Sequence, residues 1–179
     1  MPNYFAAIPV DLPSEAWQAL RGAFPAAAPL RWFAREDLHL TVAFFGRFEP
    51  ERLPEVTSVL DALPLPDFLL RTAGLLLLPS VRRCSAVALA LDDGGPLHDY
   101  MKQCHAPLMR AAGLEPDTRE PLPHFTFARP GNQARRASRW MPNDAVPLPA
   151  TEIHLHRLAI YGWADDRSAR QFKILHERA

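Results

Sequence analysis

The chain is 179 residues long, with 48% hydrophobic and 22% charged residues, which predicts a globular protein and excludes a disordered one. Its 20 basic and 20 acidic residues cancel, so it lacks the overall positive field that holds a long nucleic acid through many phosphates. Because the first residues lack a charged leader and no run approaches the ~20 apolar residues of a membrane span, we expect a cytoplasmic protein.

Hydrophobic periodicity predicts a mixture of strands and helices. In chain order the expected elements are a strand at 3–8, a helix opening at Pro13, a strand at 38–45, a helix over 53–63, strands at 68–78 and 84–91, a helix over 97–111, and strands at 124–128, 153–161 and 169–175. The arginine- and proline-rich segment 131–149 predicts a surface excursion with a short helix. Cys84 and Cys104 have no disulfide-type spacing, and we expect both to be buried thiols.

Two of the predicted strands begin with the same motif. The octet HLTVAFFG starts at His39 and the octet HFTFARPG starts at His124, so His, Thr, Ala and Gly fall at the same four offsets. The repeat predicts one domain, residues 1–179, built from two pseudo-equivalent α+β lobes with one His-x-Thr motif each, at 39–41 and 124–126.

Strand geometry predicts where the motif side chains point. Strict alternation puts one set of the first octet on one side, namely His39, Thr41 and Ala43, and the other set on the opposite side, namely Leu40, Val42 and Phe44. If a pseudo-twofold axis relates the two lobes, the two His/Thr faces meet across a cleft.

Two histidines and two threonines suit the cleavage of a phosphodiester. The reaction needs a base for the nucleophile and an acid for the departing oxygen, on opposite sides of phosphorus. With a reference pKa of ~6.5, His39 and His124 can each take either protonation state near neutral pH. The hydroxyls of Thr41 and Thr126 can donate hydrogen bonds to the non-bridging phosphate oxygens.

The pair of His-x-Thr-x motifs, with a hydrophobic residue at each x, resembles the 2H phosphoesterase superfamily. The whole chain resembles its RNA 2′,3′-cyclic phosphodiesterase branch, also called 2′-5′ RNA ligase-like proteins. The segments that carry this wider resemblance are Tyr4-Phe5-Ala6-Ala7-Ile8-Pro9, Arg31-Trp32, residues 123–129 and residues 161–175.

The resemblance implies an α+β bilobal fold in which two antiparallel sheets face a central cleft and helices lie outside. It implies hydrolysis of 2′,3′-cyclic phosphate ends of RNA or nucleotides to 2′-phosphates, with no metal and no cofactor, and reversal would form a 2′-5′ RNA linkage. By family analogy His124 is the base that activates water, His39 is the acid that protonates the 3′ oxygen, and Arg129 helps to hold the phosphate. We expect a monomer whose partners are such RNA ends or nucleoside cyclic phosphates, with no membrane.

Two other functions are kept as alternatives. A non-catalytic module could bind RNA ends or cyclic nucleotides in the same cleft through Thr41, Thr126 and Arg129. A metallohydrolase could be centred on His154 and His156, with His176 as a third ligand, although no cysteine or carboxylate is placed to complete a metal site. Three aromatic residues near the motifs could stack a base or fill the core, namely Phe5, Trp32 and Phe45.

Overall fold

A computed structural model of the chain describes residues 3–92, 95–131, 148 and 150–179. The strands are Tyr4–Pro9 (β1), Leu30–Trp32 (β2), His39–Gly46 (β3), Phe68–Leu78 (β4), Ala86–Asp92 (β5), His124–Pro130 (β6), Glu152–Leu155 (β7), Leu158–Trp163 (β8) and Phe172–Arg178 (β9). The helices are Ser14–Gly22 (α1), Leu53–Ala62 (α2) and Pro96–Ala111 (α3). The predicted surface excursion falls almost entirely on residues 132–147 and 149, which lie outside the described residues.

The strands form two antiparallel sheets, as predicted. One has four strands in the order β3-β1-β8-β9, and the other has five in the order β2-β6-β5-β4-β7. The first histidine motif therefore lies in one sheet and the second in the other, and β3 packs against β6 where the sheets approach. Helix α3 packs against β3 and against α2. This arrangement confirms the α+β fold with two antiparallel sheets.

The sheets do not follow the two halves of the chain. Strand β2 precedes the first motif but pairs with β6, which carries the second motif. Strands β8 and β9 follow the second motif but extend the sheet of the first, where β8 pairs with β1. The segment between the motifs supplies β5, a neighbour of β6, while both chain ends supply the strands that build the sheet of β3.

The predicted strand at 153–161 is wrong, because the chain changes sheets in its middle. Strand β7 pairs with β4, whereas β8 pairs with β1 and β9. Apolar residues continue on both sides of the crossing at His156 and Arg157, and periodicity gives no sign of which sheet each half joins.

Two strands start more than one residue later than predicted. Strand β5 starts at Ala86 rather than 84, and the thiol of Cys84 instead donates a hydrogen bond to the Ala86 carbonyl at 3.3 Å. Strand β9 starts at Phe172 rather than 169, because the Asp37 carboxylate accepts hydrogen bonds from the backbone N–H groups of Gln171 and Phe172. Both Cys84 and Cys104 are buried free thiols, as expected.

The predicted side for Phe44 is wrong because β3 contains a β-bulge. Thr41 pairs with Ala7 while Ala43 pairs with Ala6, so Val42 is an extra residue in its strand. The extra residue reverses the alternation that follows: Ala43 is buried and the Phe44 side chain is 56% exposed. Phe44 therefore lies on the same face as the motif histidine and threonine.

Strand β6 has an equivalent bulge at the same offset. Thr126 pairs with Ala88 while Ala128 pairs with Val87, which leaves Phe127 as the extra residue. Ala128 is buried and Arg129 is exposed, so the bulge brings Arg129 to the face of His124 and Thr126. The structural repeat thus extends to the bulges, and position 44 corresponds to position 129.

The core lies between the sheets and the helices. Its largest fully buried side chains include Tyr161, Phe125 and Phe127, and burying each of the two phenylalanine side chains stabilises the fold by about 1.5–3 kcal/mol. Among the described residues, none of the helices has both the length and the apolar character that crossing a bilayer requires.

Candidate active site

The two motif histidines are held by the same local hydrogen bond. Nδ1 of His39 lies 2.7 Å from the Asp37 carbonyl oxygen, and Nδ1 of His124 lies 2.6 Å from the Leu122 carbonyl oxygen. Because a carbonyl oxygen can only accept, each ring donates through Nδ1–H. In the neutral rings this fixes the tautomer and leaves Nε2 as the nitrogen that can accept a proton.

The His39 ring is enclosed by aromatic side chains. Its centroid lies 4.6 Å from that of Phe5, 5.3 Å from Tyr161 and 5.1 Å from Phe172. The pKa of His39 is lowered to about 4, mainly by burial and further by the nearby Arg129 and His124, while the hydrogen bond to the Asp37 carbonyl acts in the opposite direction. In the free protein His39 is therefore neutral near pH 7.

Two adjoining cavities hold the predicted site residues. The His39 cavity, of about 320 Å³, is lined by four of the five, namely His39, Thr41, Thr126 and Arg129. The His124 cavity, of about 560 Å³, is lined by the fifth and by residues of α3 and of the loop before β6. Because Thr41 and Phe44 line both cavities, they form the boundary between them.

Among the side chains that line the His39 cavity without having been predicted from the sequence are Arg31, Phe44 and Arg167. Phe44 was assigned to the opposite face because alternation alone cannot reveal a bulge. Arg31 is directly opposite Arg129 in the pairing of β2 with β6, and the prediction did not include β2. Arg167 lies in a polar turn before β9, where no periodic pattern could have marked it.

The aromatic residues singled out from the sequence are structural. Phe5 and Phe45 are both 3% exposed. The Trp32 ring packs against Trp17, at 5.6 Å between centroids, and against Phe127, at 5.4 Å. Phe44, which the strand prediction had placed on the core side, is instead the exposed aromatic side chain at the boundary of the two cavities.

The remaining predicted candidates, His154 and His176, have separate partners. Nε2 of His154 lies 2.8 Å from Asp67 Oδ1, and Nε2 of His176 lies 2.7 Å from Asp61 Oδ1. His156 stacks on His154, with 4.7 Å between their centroids. Within residues 3–92, 95–131, 148 and 150–179, no three His, Cys, Asp or Glu side chains are grouped as metal ligands.

Comparison with known proteins gives a family and a set of structures. The family model described as LigT like phosphoesterase matches residues 9–87, which contain the first motif. The structure of Escherichia coli LigT complexed with 3′-AMP is 22% identical, with a TM-score of 0.70 over 100% of this chain and 98% of that chain. The structure of TT0787 from Thermus thermophilus is 20% identical, with a TM-score of 0.68 over 98% of this chain and 96% of that chain.

A more distant structure shares the fold as well. Usb1 from Kluyveromyces marxianus is 15% identical, with a TM-score of 0.57 over 97% of each chain. No curated protein matches the sequence. The two paired sheets, with one histidine motif in each, have the fold of these solved structures. Over residues 9–87 the sequence is similar to the LigT like phosphoesterase family, and over its whole length the chain shares the fold of Escherichia coli LigT.

Proposed function

We propose that this protein hydrolyses 2′,3′-cyclic phosphate ends of RNA or nucleotides to 2′-phosphates, with His39 and His124 as its acid/base pair. The observation that carries the proposal is the matched anchoring of the two rings. Each donates Nδ1–H to the carbonyl two residues earlier, and the rings lie in adjoining cavities that share Thr41. In such a pair, one histidine can act on the nucleophile and the other on the leaving oxygen, on opposite sides of one phosphorus atom.

The proposed reaction is a single in-line displacement. Nε2 of His124 takes a proton from water as the water oxygen forms its bond to phosphorus. The bond from phosphorus to the 3′ oxygen breaks, and Nε2 of the His39 imidazolium gives that oxygen its proton. Thr41, Thr126 and Arg129 donate hydrogen bonds to the non-bridging oxygens, where the charge is redistributed. If a 5′-hydroxyl replaced water as the nucleophile, the same displacement would form a 2′-5′ linkage.

The acid role of His39 depends on the substrate. Its pKa of about 4 in the free protein makes the ring neutral near pH 7. A bound phosphodiester places a negative charge beside the ring, and an adjacent opposite charge raises the pKa of a histidine. His39 therefore gains its proton as the anion binds. The protonated ring can then act as the general acid for the same substrate.

Ligands of a structural neighbour support a phosphate-containing substrate. Escherichia coli LigT has been solved in complexes with 3′-AMP, NADP+, phosphate and ATP. Each of these ligands contains phosphate, and three of them are nucleotides. We take nucleotide phosphates as the substrate class of this chain because two threonines and an arginine line the same cavity as His39.

The direct test is turnover of a nucleoside 2′,3′-cyclic phosphate by the purified protein in the presence of a strong chelator. We expect the 2′-monophosphate, and we expect H39A and H124A to lose turnover by at least about 100-fold while binding a nucleoside 2′-phosphate. H154A is the matched control, because this histidine pairs with an exposed aspartate outside the site. Chelator-sensitive activity would instead support a metallohydrolase, and binding without any turnover would support the non-catalytic module.

A second substrate tests the assignment of acid and base. An aryl phosphodiester such as bis-p-nitrophenyl phosphate has a leaving group that departs without protonation, so it does not need the general acid. H39Q should therefore retain much more activity on this ester than on the cyclic phosphate, relative to the unsubstituted protein, whereas H124Q should be impaired on both. If H124Q retained activity on the aryl ester and H39Q did not, His124 would be the acid and His39 the base.

A further inference from the structure

Three arginines line the His39 cavity, and none of the described residues that line it with them is a carboxylate. Arg31, Arg129 and Arg167 all line it. In the described part of the chain, the ion pairs of arginine involve other residues, namely Arg52, Arg119, Arg157 and Arg170. An arginine cluster with no acidic partner is an electrostatic site for an anion.

The cluster is held together despite its own repulsion. Arg31 and Arg129 are directly opposite each other on paired antiparallel strands, where like charges are destabilising. Burial lowers the pKa of Arg129, and the positive charges of Arg31 and Arg167 lower it further. A bound anion would relieve this electrostatic repulsion. In the free protein the repulsion among the three arginines lowers the stability of the fold.

Neighbouring side chains restrict the guanidinium groups before any ligand arrives. The Arg167 guanidinium lies 4.2 Å above the Trp163 ring and donates a hydrogen bond to Gln171 Oε1 at 2.9 Å. The Arg129 guanidinium lies 5.8 Å from the centroid of the Phe33 ring. Aromatic surfaces orient arginine without neutralising its charge, so the cluster stays available to an anion.

The number of positive charges exceeds what the reaction needs. The cyclic phosphodiester carries one negative charge, and in the proposed reaction Arg129 already faces it together with two threonine hydroxyls. The cavity, at about 320 Å³, lies in the size range of pockets that enclose ligands much larger than a phosphate group. Arg31 and Arg167 therefore bring positive charge to the cavity beyond what the cyclic phosphate requires.

We propose that Arg31 and Arg167 form a second anion subsite, which binds another phosphate of the same substrate beside the cyclic phosphate. This inference rests on the proposed function and narrows its substrate class to molecules with two phosphates. Two sources share this chemistry: a 5′-phosphate on the nucleotide that carries the cyclic end, and the phosphodiester that joins that nucleotide to the rest of an RNA chain.

Equilibrium binding tests the subsite without any turnover. Isothermal titration calorimetry would compare three product-type ligands, namely a nucleoside 2′-phosphate, the corresponding nucleoside 2′,5′-bisphosphate, and a dinucleotide ending in a 2′-phosphate. We expect the second phosphate to raise affinity by at least about tenfold, as hydrogen bonds between charged groups do. A gain with the bisphosphate identifies the terminal 5′-phosphate as sufficient, and a gain with the dinucleotide alone identifies the chain phosphodiester. Equal affinity for all three ligands would overturn the subsite.

Substitutions test which arginines produce the gain in affinity from the second phosphate. R31Q and R167Q should each remove most of the advantage of the second phosphate while changing the affinity for the nucleoside 2′-phosphate by less than about threefold. R110Q is the matched control, because Arg110 is an exposed arginine in the last turn of α3 and should leave the advantage unchanged. If all three variants lost it equally, the effect would be general electrostatics and the subsite would be rejected.

The experiments distinguish failure of the anion subsite from failure of the proposed hydrolysis. The ligand series in the unsubstituted protein tests the subsite even if a variant fails to fold. Turnover of the cyclic phosphate without a gain from a second phosphate would remove the subsite and leave the proposed function standing. A gain in binding without turnover of any cyclic phosphate would support the subsite and reject the proposed function.

Discussion

The carboxylate of Asp37 accepts a hydrogen bond from the backbone N–H of Gln171 at 2.6 Å, which ties the turn before β3 to the start of β9. Asp37 is 0% exposed, and its carboxylate also accepts from the Phe172 N–H at 3.4 Å. Its carbonyl oxygen accepts from Nδ1 of His39. One residue thus fixes the His39 ring and the strand that supplies Phe172, one of the rings packed against that histidine.

The first prediction is that D37N lowers the free energy of unfolding by about 2–4 kcal/mol, because the amide loses charge-assisted bonds and buries donors without acceptors. Urea denaturation measures this. D11N is the control: Asp11 is exposed and pairs only at the surface with Arg157, so its loss should cost less than about 1 kcal/mol. Equal losses in both variants would show that the buried carboxylate does not hold β9.

The second prediction concerns the titration of His39. NMR of the free protein should give this ring a pKa of about 4, and saturation with a nucleoside 2′-phosphate should raise it, since the ligand brings negative charge. The unfolded chain binds a proton at His39 near the reference pKa of ~6.5, whereas the folded chain does not until about pH 4. Stability from this ring is therefore complete above the reference pKa and is lost as pH falls toward 4.

Two controls accompany that titration. The H39Q variant should lose the part of the pH dependence of unfolding that arises from this ring. A His39 pKa near the reference value of ~6.5, unmoved by the ligand, would contradict both the enclosure by aromatic rings and the proximity of the bound phosphate.

The third prediction tests the bulge in β3. Nδ1 of His105, on α3, lies 3.0 Å from the carbonyl oxygen of the bulged residue Val42, and the Asp117 N–H donates to Nε2 of the same ring at 3.1 Å. H105A would remove both contacts and should lower the free energy of unfolding by about 1–3 kcal/mol. It should also lower kcat/KM, because the bulge sets the position of the boundary residues.

H105Q, whose amide can supply a donor and an acceptor, should recover part of both losses. H154A removes a histidine from the surface of the five-stranded sheet and serves as the control. Unchanged kcat/KM in a destabilised H105A protein would show that the bulge position does not depend on α3.

The fourth prediction concerns Phe44, the exposed ring between the two cavities. If a nucleobase stacks on it, F44A should weaken nucleotide binding by about 1–3 kcal/mol, with little change in stability because the side chain is 56% exposed. F44W should retain binding. L69A removes another exposed apolar side chain, one that is 63% exposed on β4, and should affect neither property. Normal nucleotide affinity in F44A would exclude stacking.

Much of the fold and the site was predictable because repeated local patterns encode both. The motif octets predicted β3, β6 and the shared face of His39 and Thr41, and four of the five predicted site residues line one cavity. The bulges were not predictable: an extra residue leaves the sequence pattern unchanged and appears only in the pairing of neighbouring strands. Arg31 and Arg167 were missed for a related reason, because tertiary pairing and a turn bring them to the cavity.

The interleaved origin of the sheets has a consequence for how this chain can be divided. A fragment ending between α3 and β6 would contain β1 without β8 and β5 without β6. The complementary fragment would hold β6 with neither of its flanking strands. Neither piece could satisfy its own backbone edges, so the duplicated motifs, whatever their ancestry, are no longer separable modules, and loss of either terminus would remove strands from the sheet that carries His39.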